Sequence, residues 1–212
     1  MKLIETNGIT HIEKFDGYTK WYWGTDYASG DLYEAEEIFR KGMQFKPNRL
    51  IFVHYPDGQV FEPIKPKESQ YFGRPNYIDG VIYILLVNFE EQNIYVYCCS
   101  PDKGLYSVVV KLPLSEVKDC YNLMINREPL MLTRQGADNH FQIIWPEKAD
   151  FVIGERESFF VRVKEQLFFT EWHEDPEYRE EINIREFPSG KLIEKAPGVL
   201  KLMPNGQHWI LL

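Results

Sequence analysis

The sequence predicts a mostly β protein built from repeated antiparallel hairpins. Aromatic residues make up 15% of the chain, and aromatic side chains favour strands because they fit a pleated, half-buried surface. Short turns containing proline and glycine recur between apolar runs, which is the pattern of consecutive hairpins. The 212 residues can bury a sizeable core without disulfides. We therefore expect a single all-β domain over residues 1–212, with one helix near its start.

The helix is predicted at residues 31–41. Asp31 stands at the N-cap position and Glu34 follows three residues later, which is the spacing of a capping box. Four apolar residues then fall on one helix face: Leu32, Ala35, Ile38 and Phe39. Gly42 supplies the left-handed conformation that commonly ends a helix. A shorter helical turn is predicted over residues 115–120.

The hairpin with the clearest signal joins residues 50–55 to residues 59–62. Between them, proline presets the first turn position and glycine adopts the positive φ angle that the turn requires. Similar turn segments lie at residues 100–104, 186–190 and 203–206. The recurring turns therefore predict a series of repeated hairpins.

Strand candidates of a second kind begin near Val81, Leu130, Leu167 and Gln207. They are about 37 to 49 residues apart, near the repeat length of propeller blades. This spacing favours a small β-propeller of about four to five blades, or an incomplete propeller. The alternative is a β-sandwich or an open twisted sheet with one docked helix.

The formal net charge of −8 is unfavourable for binding to phosphate backbones or to an anionic membrane surface. Three cysteines do not form a disulfide framework. Cys98 and Cys99 are adjacent, so they should point to opposite faces of a strand. The apolar run at 81–87 is far shorter than the ~20 residues of a membrane-spanning helix. We expect a cytoplasmic protein with neither nucleic-acid nor membrane partners.

The common catalytic and cofactor motifs are absent from the sequence. It contains no phosphate-binding loop, no dinucleotide-binding glycine pattern and no nucleophile elbow. No cysteine or histidine spacing matches a zinc site. We therefore predict neither a metal nor a cofactor, and the sequence leaves open whether the protein is an enzyme.

A ligand site is predicted in the segment 18–27, which holds five aromatic residues. In a strand, Trp21 and Trp23 share one face. Tyr27 adds a third ring, and Asp26 adds a carboxylate that can accept hydrogen bonds from sugar hydroxyls. The competing interpretation is a core strand that packs against the helix.

Two further groups of polar residues are weaker candidates. The acidic segment 171–181 contains His173 and could bind a cation or perform acid–base chemistry. Such a segment is more typical of a solvated loop between two strands. His54 and Asp57 resemble half of a catalytic pair, although a hydrogen-bonded histidine beside a turn is the simpler explanation.

These observations favour a binding or interaction module with an aromatic-rich surface for a glycan or a protein partner. The alternative is a carbohydrate-active hydrolase or lyase that uses carboxylates, for which two carboxyl groups about 5–9.5 Å apart would be needed. A third hypothesis is a subunit of a larger assembly, because open edge strands favour self-pairing.

Overall fold

The structure is a computed structural model that describes residues 1–16, 18, 20–203 and 205–212. Antiparallel strands dominate the described residues, which confirms the predicted mostly β class. The strands form several separate sheets, and the described residues do not confirm a closed propeller. Open sheets with a docked helix agree with the alternative architecture.

The chain divides into two compact units, Met1–Cys120 and Tyr121–Leu212. The single domain expected over residues 1–212 stays a prediction. Among the described residues, no helix combines the length and the apolar character needed to cross a lipid bilayer.

The first unit contains two sheets and the helix. Its elements in chain order are β1 (Glu13–Lys14), β2 (Trp21–Thr25), α1 (Leu32–Arg40), β3 (Leu50–His54), β4 (Val60–Phe61), β5 (Gln70–Phe72), β6 (Asn76–Ile78), β7 (Val81–Asn88), β8 (Asn93–Ser100) and β9 (Leu105–Pro113). One sheet has the order β1-β2-β3-β4. The other has the order β5-β7-β8-β9, with β6 also paired to β7.

The second unit contains three sheets. Its strands are β10 (Met124–Arg127), β11 (Leu130–Gln135), β12 (His140–Trp145), β13 (Ala149–Val152), β14 (Glu157–Val163), β15 (Gln166–His173), β16 (Arg179–Glu186), β17 (Leu192–Pro197), β18 (Val199–Leu202) and β19 (His208–Leu211). Strands β10 to β13 form one antiparallel sheet in chain order, as do β14 to β17, and β18 pairs with β19.

Helix α1 begins with the predicted capping box. The Glu34 backbone N–H donates to Asp31 Oδ1, and the Asp31 backbone N–H donates to Glu34 Oε2, both at 2.8 Å. Gly42 follows the helix with a φ of 69°. The second predicted helical segment, 115–120, is only a short 3₁₀ turn at Leu114–Glu116.

Each unit has its own apolar core. The core of the first unit draws on both sheets and includes Trp21, Trp23, Phe52, Phe72, Ile82 and Ile84. The core of the second unit includes Met131, Phe141, Ile143, Leu167, Phe169 and Phe187. Aromatic side chains fill much of both cores, which is the structural reason for the high aromatic content.

The hairpin at 50–62 is present as β3 and β4. Cys99 is buried and Cys98 is half-buried, as expected from alternation along β8. The turn at 203–206 contains Pro204, and the aromatic segment 18–27 contains Thr19; both of these residues lie outside the described residues.

Candidate functional site

The two tryptophans of the predicted aromatic site lie in the core of the first unit. Trp21 and Trp23 share one face of β2, as predicted, but they are only 5% and 4% exposed. The Trp21 ring lies 4.7 Å from the His54 ring, and the Arg74 guanidinium carbon lies 5.7 Å from the centre of the Trp23 ring. Both rings are therefore packed by protein groups on the face that was expected to meet a ligand.

The other two residues of that site follow the end of β2. Asp26 Oδ1 accepts a hydrogen bond of 2.9 Å from the Arg49 backbone N–H. Tyr27 is half exposed, and burial, with a smaller contribution from Glu13, raises the pKa of its hydroxyl. Ligand binding by Trp21, Trp23, Asp26 and Tyr27 stays a prediction.

His54 and Asp57 form a pair within the turn between β3 and β4. His54 Nδ1 lies 2.8 Å from Asp57 Oδ2, and Asp57 Oδ1 accepts a 2.9 Å hydrogen bond from the Gln59 backbone N–H. The bond from Gln59, followed by the bond to His54, lowers the pKa of Asp57. These contacts agree with the simpler interpretation of His54, a hydrogen-bonded residue that stabilises the turn.

The acidic segment 171–181 is not a loop along its whole length, contrary to the favoured interpretation. Its two ends belong to β15 and β16, so Glu171 lies directly opposite Glu181 and His173 lies opposite Arg179. Both carboxylates and the imidazole stand on the same face of the sheet. His173 Nε2 lies 3.3 Å from Glu171 Oε1 and 3.3 Å from Glu181 Oε2.

Lys195 of β17 joins the two carboxylates. Its Nζ lies 2.8 Å from Glu171 Oε2 and 2.7 Å from Glu181 Oε2. Burial raises the pKa of Glu171, but hydrogen bonds from Lys195 and Asn183 outweigh burial, so the net shift is downward. Lys195 is the main cause of the lowered pKa of Glu181. Glu171 and then Glu181 raise the pKa of Lys195, so all three groups carry charge at neutral pH.

A buried polar network supports this cluster from the neighbouring strand positions. Asn183 Nδ2 donates to Glu171 Oε2 at 2.7 Å and also to Glu157 Oε1. Arg185 donates two hydrogen bonds to Glu157, of 2.9 and 3.1 Å. These hydrogen bonds fix the Glu171 side chain. The backbone of its strand, β15, is itself paired with β14 on one side and with β16 on the other.

This electrostatic arrangement does not favour glycoside hydrolysis. That reaction needs one carboxylic acid that keeps its proton near neutral pH, usually because its pKa is raised. The pKa values of Glu171 and Glu181 are both lowered, and one ammonium group joins both carboxylates. The cluster is therefore better suited to binding than to proton donation.

A cavity of about 310 Å³ lies beside α1 in the first unit. Its walls include Phe39, Phe89 and the buried carboxylate of Glu36. Glu36 Oε2 accepts a 2.6 Å hydrogen bond from the Cys120 backbone N–H, and its Oε1 lies 2.7 Å from Arg40 Nη2. The charge of Glu36 is thus already compensated by groups of the same unit.

Strand β9 is an open edge with an apolar surface. It pairs with β8 on one side, and no other described strand pairs with it. Residues 105–109 are exposed without interruption, and four of these five are apolar. The exposed fractions are 63% for Leu105, 51% for Tyr106, 52% for Val108 and 37% for Val109.

An aromatic row runs from β8 onto this edge strand. The Tyr97 ring lies 5.9 Å from the Tyr95 ring and 6.0 Å from the Tyr106 ring. Lys111 Nζ lies 5.2 Å from the centre of the Tyr95 ring. Because Val108 lies opposite Tyr97, the row and the exposed valine share one face of the sheet.

The sequence predicted a turn at residues 100–104, but no role was assigned to the strand that follows it. The available signal was composition. The segment Leu105–Pro113 contains one charged residue, Lys111, whereas natural edge strands commonly carry several charges. That signal becomes informative only when the strand is known to be at an edge, and edge position depends on which strands pair.

No protein-family model matches the chain, and a search of curated proteins found no match. Among solved structures, one similar chain is an exo-β-1,3-galactanase from Phanerochaete chrysosporium, crystallised with β-1,3-galactotriose. It is 10% identical, with a TM-score of 0.43, and the alignment covers 88% of this chain and 48% of the galactanase chain. This chain therefore spans about half the length of that structure, and at this TM-score the similarity carries no argument about activity.

Proposed function

We propose that this chain is a protein-interaction module whose docking element is β9, and that the docked strand comes from a second copy of the chain. The observation that carries the proposal is the uninterrupted exposure of residues 105–109 on an open sheet edge. Fully burying one Val or Leu side chain contributes about 1.5–3 kcal/mol. Covering this edge therefore provides a substantial apolar driving force.

The chemistry of the edge specifies an extended peptide. The outer backbone groups of an edge strand are hydrogen-bond donors and acceptors at the regular spacing of a sheet, and another strand satisfies them in register. The alternate side chains of β9 project on both faces, where an added strand can cover them. A partner strand thus meets both the backbone and the side chains of Leu105–Pro113.

The charge pattern allows β9 to pair with itself. In an antiparallel pair centred between Val108 and Val109, the only charged side chain, Lys111, lies opposite Tyr106 of the other copy. No like charges face each other, and an ammonium group can interact favourably with an aromatic ring. In this two-fold arrangement the same surface of each copy forms the interface, which is the geometry of a closed symmetric dimer.

The test is the mass of the protein in solution across a range of concentrations, measured by sedimentation equilibrium. We expect the 25.1 kDa chain to form a dimer, and Val108→Lys to be monomeric at the concentrations where the natural sequence is paired. A lysine there places two like charges in the centre of the paired edges and leaves an ammonium group partly desolvated.

The matched control is Val152→Lys. Val152 is 61% exposed on the edge strand β13 of the second unit, so the same substitution is made at an equally open valine. We expect this variant to dimerise like the natural sequence. A natural protein that stays monomeric at every concentration, or a Val108→Lys variant that still dimerises, contradicts the proposal.

A further inference from the structure

A set of three possible metal ligands lies on one face of β15 and β16. It consists of Glu171, His173 and Glu181, each of which offers one ligand atom, and these three atoms all lie within 4.8 Å of one another. Glu171 and Glu181 are cross-strand neighbours, and His173 follows two residues later on the same face. Paired strands hold ligand atoms more rigidly than loops do.

Two of the three distances between these atoms match those of a tetrahedral transition-metal site. Zinc binds imidazole nitrogen and carboxylate oxygen at about 2.0–2.2 Å, so two ligands at a tetrahedral angle lie about 3.4 Å apart. His173 Nε2 is 3.3 Å from each of the two carboxylate oxygens. The His173 imidazole is thus equally close to both carboxylates.

A second observation at the same place is an unsatisfied buried oxygen. Asn183 is 1% exposed, and its Nδ2 donates to Glu171, whereas its Oδ1 has no hydrogen-bond partner among the described residues. Leaving a buried polar atom unpaired is unfavourable. A water molecule on a metal ion would supply the missing donor, since three protein ligands leave the fourth position of such a site open.

Lys195 now provides the positive charge between the carboxylates. Its side chain is 42% exposed, so it can move into solvent when another cation arrives. On Glu171, Lys195 contacts Oε2 whereas His173 contacts Oε1. On Glu181, Lys195 and His173 contact the same oxygen, Oε2. Lys195 therefore competes with a metal ion for the two carboxylates, but it does not close the site permanently.

We propose that Glu171, His173 and Glu181 bind a divalent transition-metal ion of the zinc type, in competition with the ammonium group of Lys195. This site lies in the second unit and is independent of docking at β9. Imidazole with carboxylate favours zinc-like ions over magnesium, which prefers ligand sets made only of oxygen. The ion would hold the ends of β15 and β16 together beside the turn that joins them.

The test is calorimetric titration of the full chain with zinc chloride. We expect one ion per chain, and we expect His173→Gln and Glu181→Gln each to weaken binding by about tenfold or more, since even outer-shell changes cost about 10–100-fold. Lys195→Met should strengthen binding by about threefold to tenfold, because it removes two partly exposed ion pairs. Glu180→Gln is the matched control, because its side chain lies on the opposite face of β16 and should leave affinity unchanged.

Circular dichroism without metal checks that each variant remains folded, and the lysine variant tests the site without removing a ligand. Magnesium chloride replaces zinc in a parallel titration and should bind much more weakly. Equal zinc affinity in the natural protein and His173→Gln overturns the proposal, as does an unchanged affinity in Lys195→Met. A preference for magnesium overturns the assignment of metal class.

Discussion

Two glycines with nearly the same backbone conformation differ in the space around them. Gly190 and Gly42 have φ angles of 68° and 69°. A Cβ added to Gly190 would collide with the Phe151 ring, whereas one added to Gly42 would meet no atom within 4 Å. The pair therefore separates the cost of the left-handed conformation from the cost of a steric clash.

We expect Gly42→Ala to lower the free energy of unfolding by about 1–2 kcal/mol, the cost of a left-handed conformation for a residue with a Cβ. Gly190→Ala should add about 1–3 kcal/mol to that cost, because the core around Phe151 must shift. Urea unfolding followed by circular dichroism measures both. Equal losses in the two variants would show that the ring moves aside freely.

At the scale of residues, the face of a strand was predictable from the sequence, whereas burial was not. Alternation correctly placed Trp21 and Trp23 on one face, but it could not tell a core face from an open one. Burial depends on the sheet that covers the strand. The pairing of Glu171 with Glu181 was missed because the second strand was predicted to begin just after Glu181, and the hairpin register alone brings the carboxylates together.

At the scale of elements, α1 depends on its capping box. Asp31→Ala removes the acceptor that Asp31 provides for the Glu34 backbone N–H, and we expect the free energy of unfolding to fall by about 1 kcal/mol. Asp31→Asn keeps an equivalent oxygen and should lose only a small part of that stability. Chemical denaturation compares the three proteins, and an Asp31→Ala variant with unchanged stability would contradict this role for the cap.

Elements with local signals were predicted well, and elements whose identity depends on partners were not. The helix at 31–41 corresponds to Leu32–Arg40, because its cap, apolar face and terminal glycine are close in sequence. The propeller prediction depended on the spacing of strand starts near Val81 and Leu130. Such spacing is compatible with several sheet orders, and the structure has separate sheets without confirmed closure.

At the scale of the molecule, the net charge of −8 opposes any association between copies. The proposed β9 interface is apolar apart from Lys111, so added salt should screen the overall repulsion without breaking ion pairs. We expect the dimer dissociation constant to fall as sodium chloride rises, measured by sedimentation at constant pH. Weaker association at high salt would instead indicate an interface held by opposite charges.

The neighbouring cysteines of β8 have a practical consequence for studying the β9 edge. Burial, followed by a smaller contribution from Cys98, raises the pKa of the Cys99 thiol to about 12, and burial also raises the pKa of Cys120. Thiol-directed dyes react with the thiolate, so these two sites are protected. Cys98 is half-buried, with its sulfur 3.1 Å from the Ser107 hydroxyl oxygen of β9. The natural sequence thus offers a selective labelling position beside the edge, where a fluorophore would report the arrival of a second strand.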